Sequence, residues 1–314
     1  MILVPAGTFM MGADNGENAV LHEVTLTKSF WLGRYEVTNQ QYVEYLNWAI
    51  SHNRIHVSES TITGINVYSN VTEQILTTIR NGSGQWSEIR YIDSENRFTV
   101  EPSSWIAGDT GPGYAYPLGY DPSSLPVTAV SWHGAALYCN WLSNQESLEE
   151  YYGTGSGVGI PSSTGSGNPY NATGYRLPTS AEWERAARYN DSREYPWGDS
   201  EPNCDLANSR HGGVCLGWTS EASAYTEGES QLGFNCLAGN VNEWCNDRVY
   251  LYSPNPVTDP IGSTYAGNSQ RVTRGGHYSS PASELQNYMG LDRADPGVVE
   301  WVYGFRVCRV YAVN

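Results

Sequence analysis

The sequence predicts an α+β fold in which about three helices are embedded in short strands and much irregular loop. Three observations predict this class. Helical periodicity recurs at only three places in the 314 residues, 33 glycines and 16 prolines are scattered along the chain, and aromatic residues make up 12% of it. Periodic apolar faces predict helices, and Gly and Pro predict turns. Aromatic side chains between the turns favour short strands, because they pack well on a half-buried sheet. No motif repeats at a fixed interval, which excludes solenoids and propellers.

The N-terminal part predicts two strand-like stretches and a helix. Leu3 to Met11 and Glu23 to Leu32 are rich in β-branched and aromatic residues and are bounded by Gly and Asn. Thr38 can cap the first turn of the helix that follows. The apolar face of this helix recurs at three- and four-residue spacing through Tyr42, Tyr45, Leu46 and Ala49.

The next part predicts a second helix between two irregular insertions. The first insertion, near residues 56–125, is rich in Asn, Ser and Gly and contains short alternating runs such as Glu88 to Asp93. The helix is predicted from Ser131 to about Ser147, with Ala135, Ala136, Cys139 and Leu142 on one face. The second insertion, near residues 148–173, is mostly Gly, Ser and Thr, which is typical of a surface loop.

The third helix is marked by a capping box. Thr179 and Glu182 have the spacing in which each side chain satisfies a backbone N–H of the other, and Pro178 precedes them. Beyond Pro196 the chain shows turns and short strands with no further helical period. We therefore expect the C-terminal part to be loop held on a small sheet.

The chain is strongly acidic. It carries 17 Lys and Arg against 33 Asp and Glu, a formal net charge of −16, with no compensating basic block. Nucleic acid is excluded as a partner, because phosphate binding needs a positive surface. No apolar stretch approaches the roughly 18 residues that span a bilayer, and no signal segment is visible in the chain as given. We expect membrane attachment only through an N-terminal anchor upstream of Met1.

The cysteines are more typical of structural disulfides than of a zinc site, because no CxxC pair occurs. We expect Cys204 to bond Cys215 and Cys236 to bond Cys245 as local bridges. Cys139 and Cys308 would then tie the middle of the chain to its end. Other pairings of the same cysteines stay open, since spacing alone does not fix connectivity.

Six phrases between residues 126 and 306, together with Val4 to Gly12, resemble a known superfamily. The phrases are Pro126–Trp132, Tyr175–Glu184, Tyr195–Asp199, Ala238–Trp244, Arg274–Gly276 and Gly304–Arg306. In this order they are similar to the formylglycine-generating enzymes, or sulfatase-modifying factors, whose fold is an elaborated C-type lectin domain. The resemblance implies one domain over residues 1–314, with the two insertions above and a C-terminal region near 271–309. The phrases also have a purely structural interpretation, in which Arg176 and Glu184 pair or bond loop carbonyls and the tryptophans fill the core.

The oxidase activity of that superfamily is not expected here. The oxidase resembles a copper enzyme with two cysteines, five residues apart, just after the Arg-Gly-Gly phrase, because soft thiolates hold Cu(I). The matching positions hold Ser280 and Leu285. We therefore predict no catalytic residues and no catalytic cofactor. The alternative is an oxidase or related maturation enzyme with a displaced active site.

A calcium-dependent lectin is a second alternative. Glu201-Pro202-Asn203 is similar to the sugar-binding tripeptide of such lectins. The resemblance to the superfamily also implies structural calcium, with Asn208 and Glu243 at positions that match its oxygen ligands. Cys236 stands where the superfamily usually has Asp or Asn, which weakens one such site.

The terminal region is similar to the variable proteins of diversity-generating retroelements, in which a reverse transcriptase copies a template with errors at adenines. Ala282, Ser283, Gln286, Asn287 and Pro296 match the retained positions of such regions. The positions where diversified, ligand-binding residues are expected are Tyr278, Ser279, Ser280, Glu284, Met289, Leu291, Asp292, Ala294, Gly297, Val298, Glu300 and Trp301.

The residue types at these positions suit a binding surface. Tyr278, Met289, Leu291, Val298 and Trp301 are large apolar groups in a loop punctuated by Gly, Pro and Asp, and they serve either as exposed anchors or as core beneath the loop. We predict a non-enzymatic recognition protein, monomeric and displayed at the cell surface or exported. Its C-terminal segment would bind a protein or surface ligand.

Overall fold

Four short strands open the chain, because Pro5, Ala6 and the 27–29 turn interrupt the two predicted strand-like stretches. They are β1 (Ile2–Val4), β2 (Gly7–Met11), β3 (His22–Leu26) and β4 (Phe30–Leu32). The computed structural model describes residues 1–14, 20–59, 65–79, 87–102, 120–153, 167–211, 213–264, 269–289 and 292–311.

Three α-helices follow the predicted pattern closely within these ranges. They are α1 (Asn39–Ser51), α2 (Trp132–Gln145) and α3 (Ser180–Arg188). Thr38 caps α1 and Thr179 caps α3, each in a complete capping box, while the Ser131 hydroxyl accepts from the Gly134 amide at the start of α2. The local hydrogen bonds at the helix starts therefore determine where each helix begins.

The remaining strands are short, and most lie in the first insertion or in the last quarter of the chain. They are β5 (Ile55–Glu59), β6 (Ile65–Ser69), β7 (Ile75–Ile79), β8 (Ile89–Ile92), β9 (Arg97–Val100), β10 (Asn242–Arg248), β11 (Val257–Thr258), β12 (Arg271–Arg274), β13 (Asp292–Ala294), β14 (Tyr303–Gly304) and β15 (Cys308–Val310). The first insertion therefore contains its own three-stranded sheet, β5-β6-β7, and the hairpin β8-β9. The α+β class predicted from the sequence is confirmed.

The two ends of the chain meet in one sheet. Its order is β1-β4-β15, with both β1 and β15 antiparallel to β4, so Ile2 and Cys308 both lie opposite Leu32. A second sheet has the order β13-β12-β10-β14, in which β10 is antiparallel to β12 and parallel to β14. This second sheet holds the C-terminal region, because three of its four strands come from residues 271–304.

Two large apolar clusters surround these sheets. One joins α1 and α2 to the insertion and to the end of the chain, with Tyr42, Trp132 and Phe305 fully buried. The other packs α3 against β2, β3 and β4 around Trp183. No helix among the described residues is both long and apolar enough to cross a membrane.

The cysteines are only partly as predicted. Cys204 and Cys215 form a disulfide, which confirms the first local bridge. The other two predicted bridges are wrong, because Cys139, Cys236, Cys245 and Cys308 are buried free thiols. The Cys245 thiol lies on β10 in the cluster around Trp183, whereas the Cys236 thiol donates toward the carbonyl of Ala224. The Cys308 thiol is held between Arg176 and Glu182, so it has polar partners of its own.

Candidate functional site

The candidate site is the excursion between β12 and β14, residues 275–302, called here the C-terminal segment. It leaves β12 on one side of β10, contributes β13 to the outer edge of the sheet, and returns as β14 on the other side of β10. Loops from the rest of the protein hold its backbone: Gly239 donates to the carbonyl of Gly275 at 2.8 Å, Tyr278 donates to Asn240 at 2.9 Å, and Arg210 donates to Ser280 at 2.9 Å. The segment is therefore supported along its first turn by hydrogen bonds from other loops.

Buried ion pairs fix both ends of the C-terminal segment. Arg274, just before it, pairs with Glu184 of α3 at 3.1 Å and donates to the Ser180 hydroxyl and to the carbonyl of Asn287. Arg306, just after it, donates two hydrogen bonds to Glu243 of β10. A third pair joins Arg176 to Glu182, and Glu184 also accepts from Arg188. The seven charged residues of these pairs are called here the ion-pair core: Arg176, Glu182, Glu184, Arg188, Glu243, Arg274 and Arg306.

The ion-pair core revises the structural interpretation of the phrases that resemble the superfamily. Arg176 and Glu184 do not pair with each other, because the Arg176 guanidinium is bidentate to Glu182 at 2.6 and 2.7 Å and donates to the carbonyl of Pro169 at 2.7 Å. Charge-assisted pairs of this kind keep buried arginines ionised and fix their orientation. The Glu243 carboxylate is fixed in a similar way, because it also accepts a hydrogen bond from the Trp183 indole at 2.8 Å.

The two positions that match the copper cysteines lie together but offer no metal ligand of the required kind. Gly276, with a φ of +69°, brings them together: a Cβ there would lie 2.9 Å from Leu285 Cδ2 and 3.3 Å from Ser280 Cβ. Ser280 is 1% exposed and its hydroxyl accepts from the His277 amide at 3.1 Å. Leu285 is fully buried in a cluster with Tyr195, Ala207 and Ala238. A hydroxyl and an alkyl group therefore fill the place where soft thiolates would be needed.

The predicted anchors Tyr278 and Trp301 are brought together on one cluster. Both side chains are half-buried and pack against Tyr120, Leu125 and Trp218, here called the Trp218 cluster. The rings of Trp218 and Tyr278 are 5.2 Å apart, centroid to centroid. The buried Glu88 carboxylate fixes the base of the cluster by accepting from the Trp218 indole at 2.6 Å and from the Tyr120 hydroxyl at 3.0 Å. Each anchor thus rests on a fixed aromatic support and keeps part of its surface in solvent.

The other predicted binding positions differ in exposure. Ser279, Glu284, Met289 and Glu300 are exposed, and Gly297 and Val298 are half-buried. Ser280 and Ala294 are buried and offer no side-chain surface, because the first closes a turn and the second packs from β13 into the apolar cluster around Trp132 and Phe305. Leu291 lies outside the described residues, as does the side chain of Asp292 on β13.

The retained positions include one clear structural residue. Asn287 is fully buried; its amide donates to Glu194 at 2.8 Å, its side chain donates to Arg193, and its carbonyl accepts from Arg274. The Gln286 side chain donates to the Glu194 carboxylate. Ala282, Ser283 and Pro296 are half-buried or exposed, so their burial does not distinguish them from the predicted variable positions.

Two other groups of polar residues are engaged in local structure: His277 with Ser279 and Ser280, which are of the types that form a base and a nucleophile, and the lectin-like tripeptide Glu201-Pro202-Asn203. His277 Nδ1 accepts from the Ser279 amide at 3.2 Å, and it is a backbone N–H, not a ring nitrogen, that bonds the Ser280 hydroxyl. Asn203 turns its side-chain oxygen back to the amides of Asp205 and Leu206. Neither arrangement matches a nucleophile held by a base or a free pair of sugar-binding oxygens.

The predicted calcium ligands do not form a matched pair. Asn208 is fully buried and its side-chain oxygen has no hydrogen-bond donor, which suits a hard cation. Glu243 does not fit, because Arg306 already neutralises both of its oxygens. Among the described residues, one group offers three ligand atoms near one another, namely Cys204, His211 and Cys215, and its two sulfurs are joined as a disulfide.

Comparison with known proteins agrees with this scaffold. The sequence profile of the sulfatase-modifying factor enzyme 1-like domain matches residues 1–311. This chain belongs to the sulfatase-modifying factor family. Within that family, it is 26% identical to the formylglycine-generating enzyme of Mus musculus, over 92% of this chain and 68% of that enzyme. It is also 27% identical to the serine/threonine-protein kinase pkn1 of Chlamydia pneumoniae over 98% of this chain, which spans only 38% of the kinase's length.

Solved structures with this fold include a variable protein. Treponema denticola variable protein 1 superposes with a TM-score of 0.65 at 20% identity, covering 98% of this chain and 94% of that one. PvdO from Pseudomonas aeruginosa superposes with a TM-score of 0.61 at 18% identity, covering 98% and 93%. At these identities the likeness concerns the fold, and it confirms the elaborated C-type lectin architecture expected from the sequence.

Proposed function

We propose that this sulfatase-modifying factor domain is a non-enzymatic ligand-binding protein whose C-terminal segment recognises a protein or surface ligand. The segment is the part of the chain that a retroelement would diversify. Exposed and half-exposed positions, with Tyr278 and Trp301 as the central anchors, would make the contacts. Display at the cell surface or export of a monomer belongs to the same proposal.

One observation carries the proposal. The turn that lacks a soft metal ligand at Ser280 and Leu285 also carries the half-exposed Tyr278, and Tyr278 shares the Trp218 cluster with the half-exposed Trp301. Tyr and Trp give large contact area at a low cost in conformational entropy, which is why they dominate antibody loops and interface hot spots. A rigid support under adaptable surface positions suits recognition better than it suits copper chemistry.

The decisive experiment is genetic. The DNA flanking this gene is sequenced and searched for a near-copy of the codons for residues 271–309 beside a reverse transcriptase gene. A copy that differs only opposite adenines, at codons for exposed positions such as Ser279, Met289 and Glu300, is the expected result. A flanking region with no such copy and no reverse transcriptase gene would overturn the diversification part of the proposal.

A copper-dependent oxidase is the second candidate, because formylglycine-generating enzymes are among the relatives that match most of the chain. The test is turnover of a Cys-containing peptide by protein incubated with Cu(I), compared with Ser280→Ala. We expect no turnover from either protein. Copper-dependent oxidation of the peptide cysteine that Ser280→Ala leaves unchanged would establish a displaced active site and overturn the non-enzymatic proposal.

A further inference from the structure

A cavity lies between α1, α2 and the turn that joins β6 to β7, and none of its lining residues belongs to the C-terminal segment. Its volume is about 60 Å³. This is the space of about two waters at roughly 30 Å³ each, so the cavity takes the edge of a flat ring whose remainder lies at the open mouth beside the exposed Arg54. The residues that give it chemical character are Tyr45, Trp48, Leu137, Trp141, Arg54 and Glu150.

The walls of the cavity are aromatic and fixed in place. The Trp141 ring lies 5.8 Å from that of Tyr45, and Trp48 stacks on His52 at 4.6 Å. The indole N–H of Trp141 is buried and has no acceptor. Native proteins pair nearly all buried donors, so this N–H is a group that an added acceptor would satisfy. Such walls favour a ligand with a flat apolar group.

Two opposite charges line the same cavity without pairing with each other. Arg54 is exposed, and its guanidinium has no ion pair or hydrogen bond among the described residues. Glu150 is held by two side-chain amides: Asn140 donates to one carboxylate oxygen at 3.2 Å and Asn144 to the other at 2.5 Å. Asn140 is itself fixed by two hydrogen bonds with the backbone of Tyr152. The carboxylate is therefore preorganised, and the guanidinium is available.

We propose that this cavity binds a free aromatic α-amino acid. The ring packs between Trp48 and Trp141, the α-carboxylate meets Arg54, and the α-ammonium meets Glu150. A zwitterion satisfies both charges, whereas an aromatic acid would face the Glu150 carboxylate and an aromatic amine would face Arg54. The inference is independent of the proposed recognition function, because the cavity and the C-terminal segment share no residue.

The test uses L-phenylalanine with two matched derivatives, N-acetylphenylalanine and phenylalanine amide, followed by calorimetry and ligand-detected NMR on the full chain. Phenylalanine is expected to bind saturably at one site, and each derivative about five- to tenfold more weakly, since each lacks one charge contact of about 1 kcal/mol. Arg54→Gln is expected to weaken phenylalanine binding by the same factor. Arg90→Gln is the control for a general charge effect, because Arg90, on β8, is exposed, lies outside the cavity lining and pairs with Glu101, just after β9.

The variants also separate the two charge contacts. Arg54→Gln should no longer distinguish phenylalanine from its amide, and Glu150→Gln should no longer distinguish phenylalanine from its N-acetyl derivative. Arg54 is exposed and unpaired, so Arg54→Gln should unfold at the same temperature as the unsubstituted protein. Absence of saturable phenylalanine binding, equal affinity for all three probes, or unchanged affinity in Arg54→Gln would each overturn the proposal.

Discussion

The ion-pair core and the exposed positions of the C-terminal segment meet at Arg274 and Arg306, which flank the segment, but their side chains differ in how completely they are fixed. Arg306 is fully buried and donates to Glu243 and to the backbone carbonyls of Gly33, Arg34 and Asn235. Tyr278 and Trp301 pack on the Trp218 cluster on one side only. Every donor of the arginine is thus committed, whereas the aromatic side chains retain surface for another molecule.

This difference predicts where substitutions are tolerated. A buried guanidinium with several partners has no substitute, because any other side chain leaves a charged carboxylate and open carbonyls without donors. A half-buried aromatic residue on a fixed support can be replaced by another residue at a modest cost in packing. The four predictions that follow test this contrast from the largest effect to the smallest.

Arg306→Gln should lower the free energy of unfolding by about 3–5 kcal/mol, because it leaves the Glu243 carboxylate buried and without its counter-charge. Denaturant unfolding measures the loss. Arg309→Gln is the matched control, since Arg309 pairs with Glu146 at the surface and should cost less than about 1 kcal/mol. Equal losses in the two variants would contradict the distinction between the core and the surface.

His133 should make stability fall as pH decreases. Burial, together with the nearby Arg271, lowers the pKa of His133 from 6.5 to about 4, while Asp295 of the C-terminal segment acts against this shift. Between these two pKa values the unfolded chain binds a proton that the folded protein excludes, so the stabilisation is complete above pH 6.5 and lost as pH falls toward 4. His133 therefore lowers the free energy of unfolding by about 3 kcal/mol over this pH range, at roughly 1.4 kcal/mol per pKa unit.

His133→Gln tests this expectation. The variant should lose about 3 kcal/mol less than the unsubstituted protein between neutral pH and pH near 4, measured by denaturant unfolding at both values. Carboxylates that titrate in the same range do so in both proteins. The difference between the two proteins in pH-dependent stability therefore reports the protonation of the His133 imidazole alone. Parallel pH profiles for the two proteins would show that His133 is not excluded from protonation by the fold.

Tyr278→Ala and Trp301→Ala should each weaken binding of a recognised ligand by about 2 kcal/mol, the usual cost of a hot-spot side chain. A peptide selected from a display library against the unsubstituted protein supplies the ligand, and its affinity for each variant is measured by calorimetry. Leu251→Ala is the control, because Leu251 is 84% exposed and outside the segment. Selected peptides that bind both variants with unchanged affinity would show that Tyr278 and Trp301 are not ligand-binding anchors.

Gly276→Ala should lower the free energy of unfolding by about 1–2 kcal/mol. Its φ of +69° disfavours any side chain, and the added methyl would meet Leu285 and the carbonyl of Glu284. Gly297, a predicted variable position, is the internal comparison, because a methyl there meets only Asp295 at 3.9 Å. Gly297→Ala should change stability by less than about 0.5 kcal/mol. A larger cost at Gly297 than at Gly276 would reverse the proposed roles of the two positions.

The sequence predicts the local features of this fold well. Thr38, Ser131 and Thr179 start the three helices as expected, because a cap depends on residues only three positions apart. Cys204 and Cys215 bond as expected for the same reason, since they lie 11 residues apart in one loop.

Long-range partners could not be predicted in the same way. Arg306 and Glu243 are 63 residues apart, and nothing in the spacing distinguishes Glu243 from the other carboxylates available to that arginine. The predicted Cys139–Cys308 bridge fails for the same reason, because the two residues are far apart in the chain. The predicted Cys236–Cys245 bridge is local and fails for another reason: Cys245 lies on β10 in the cluster around Trp183, whereas Cys236, before that strand, turns its thiol toward the carbonyl of Ala224.

The sequence predicted which side chains belong to the candidate site. It did not predict the buried residues on which those side chains pack. Tyr278 and Trp301 were expected as anchors, but Trp218, Tyr120 and the Glu88 carboxylate beneath them were not. These three residues come from distant loops with no periodic pattern, so no signal in the sequence linked them. Buried positions such as Ser280 and Ala294 could not be separated from exposed ones for the same reason.

The pairing of the sheet also limits how the C-terminal segment can vary. Strand β13 is held in register with β12, where Arg271 faces Ala294, and β14 is held in register with β10, where Asn242 faces Tyr303. Inserting or deleting one residue within β13 would reverse which of its side chains face the core, because side chains alternate along a strand. The paired strands of the segment are therefore constrained in length, whereas its exposed side chains are free to differ. Replacement of single exposed residues leaves the pairing of β12, β13 and β14 intact, so the scaffold can stay constant while its outer surface changes.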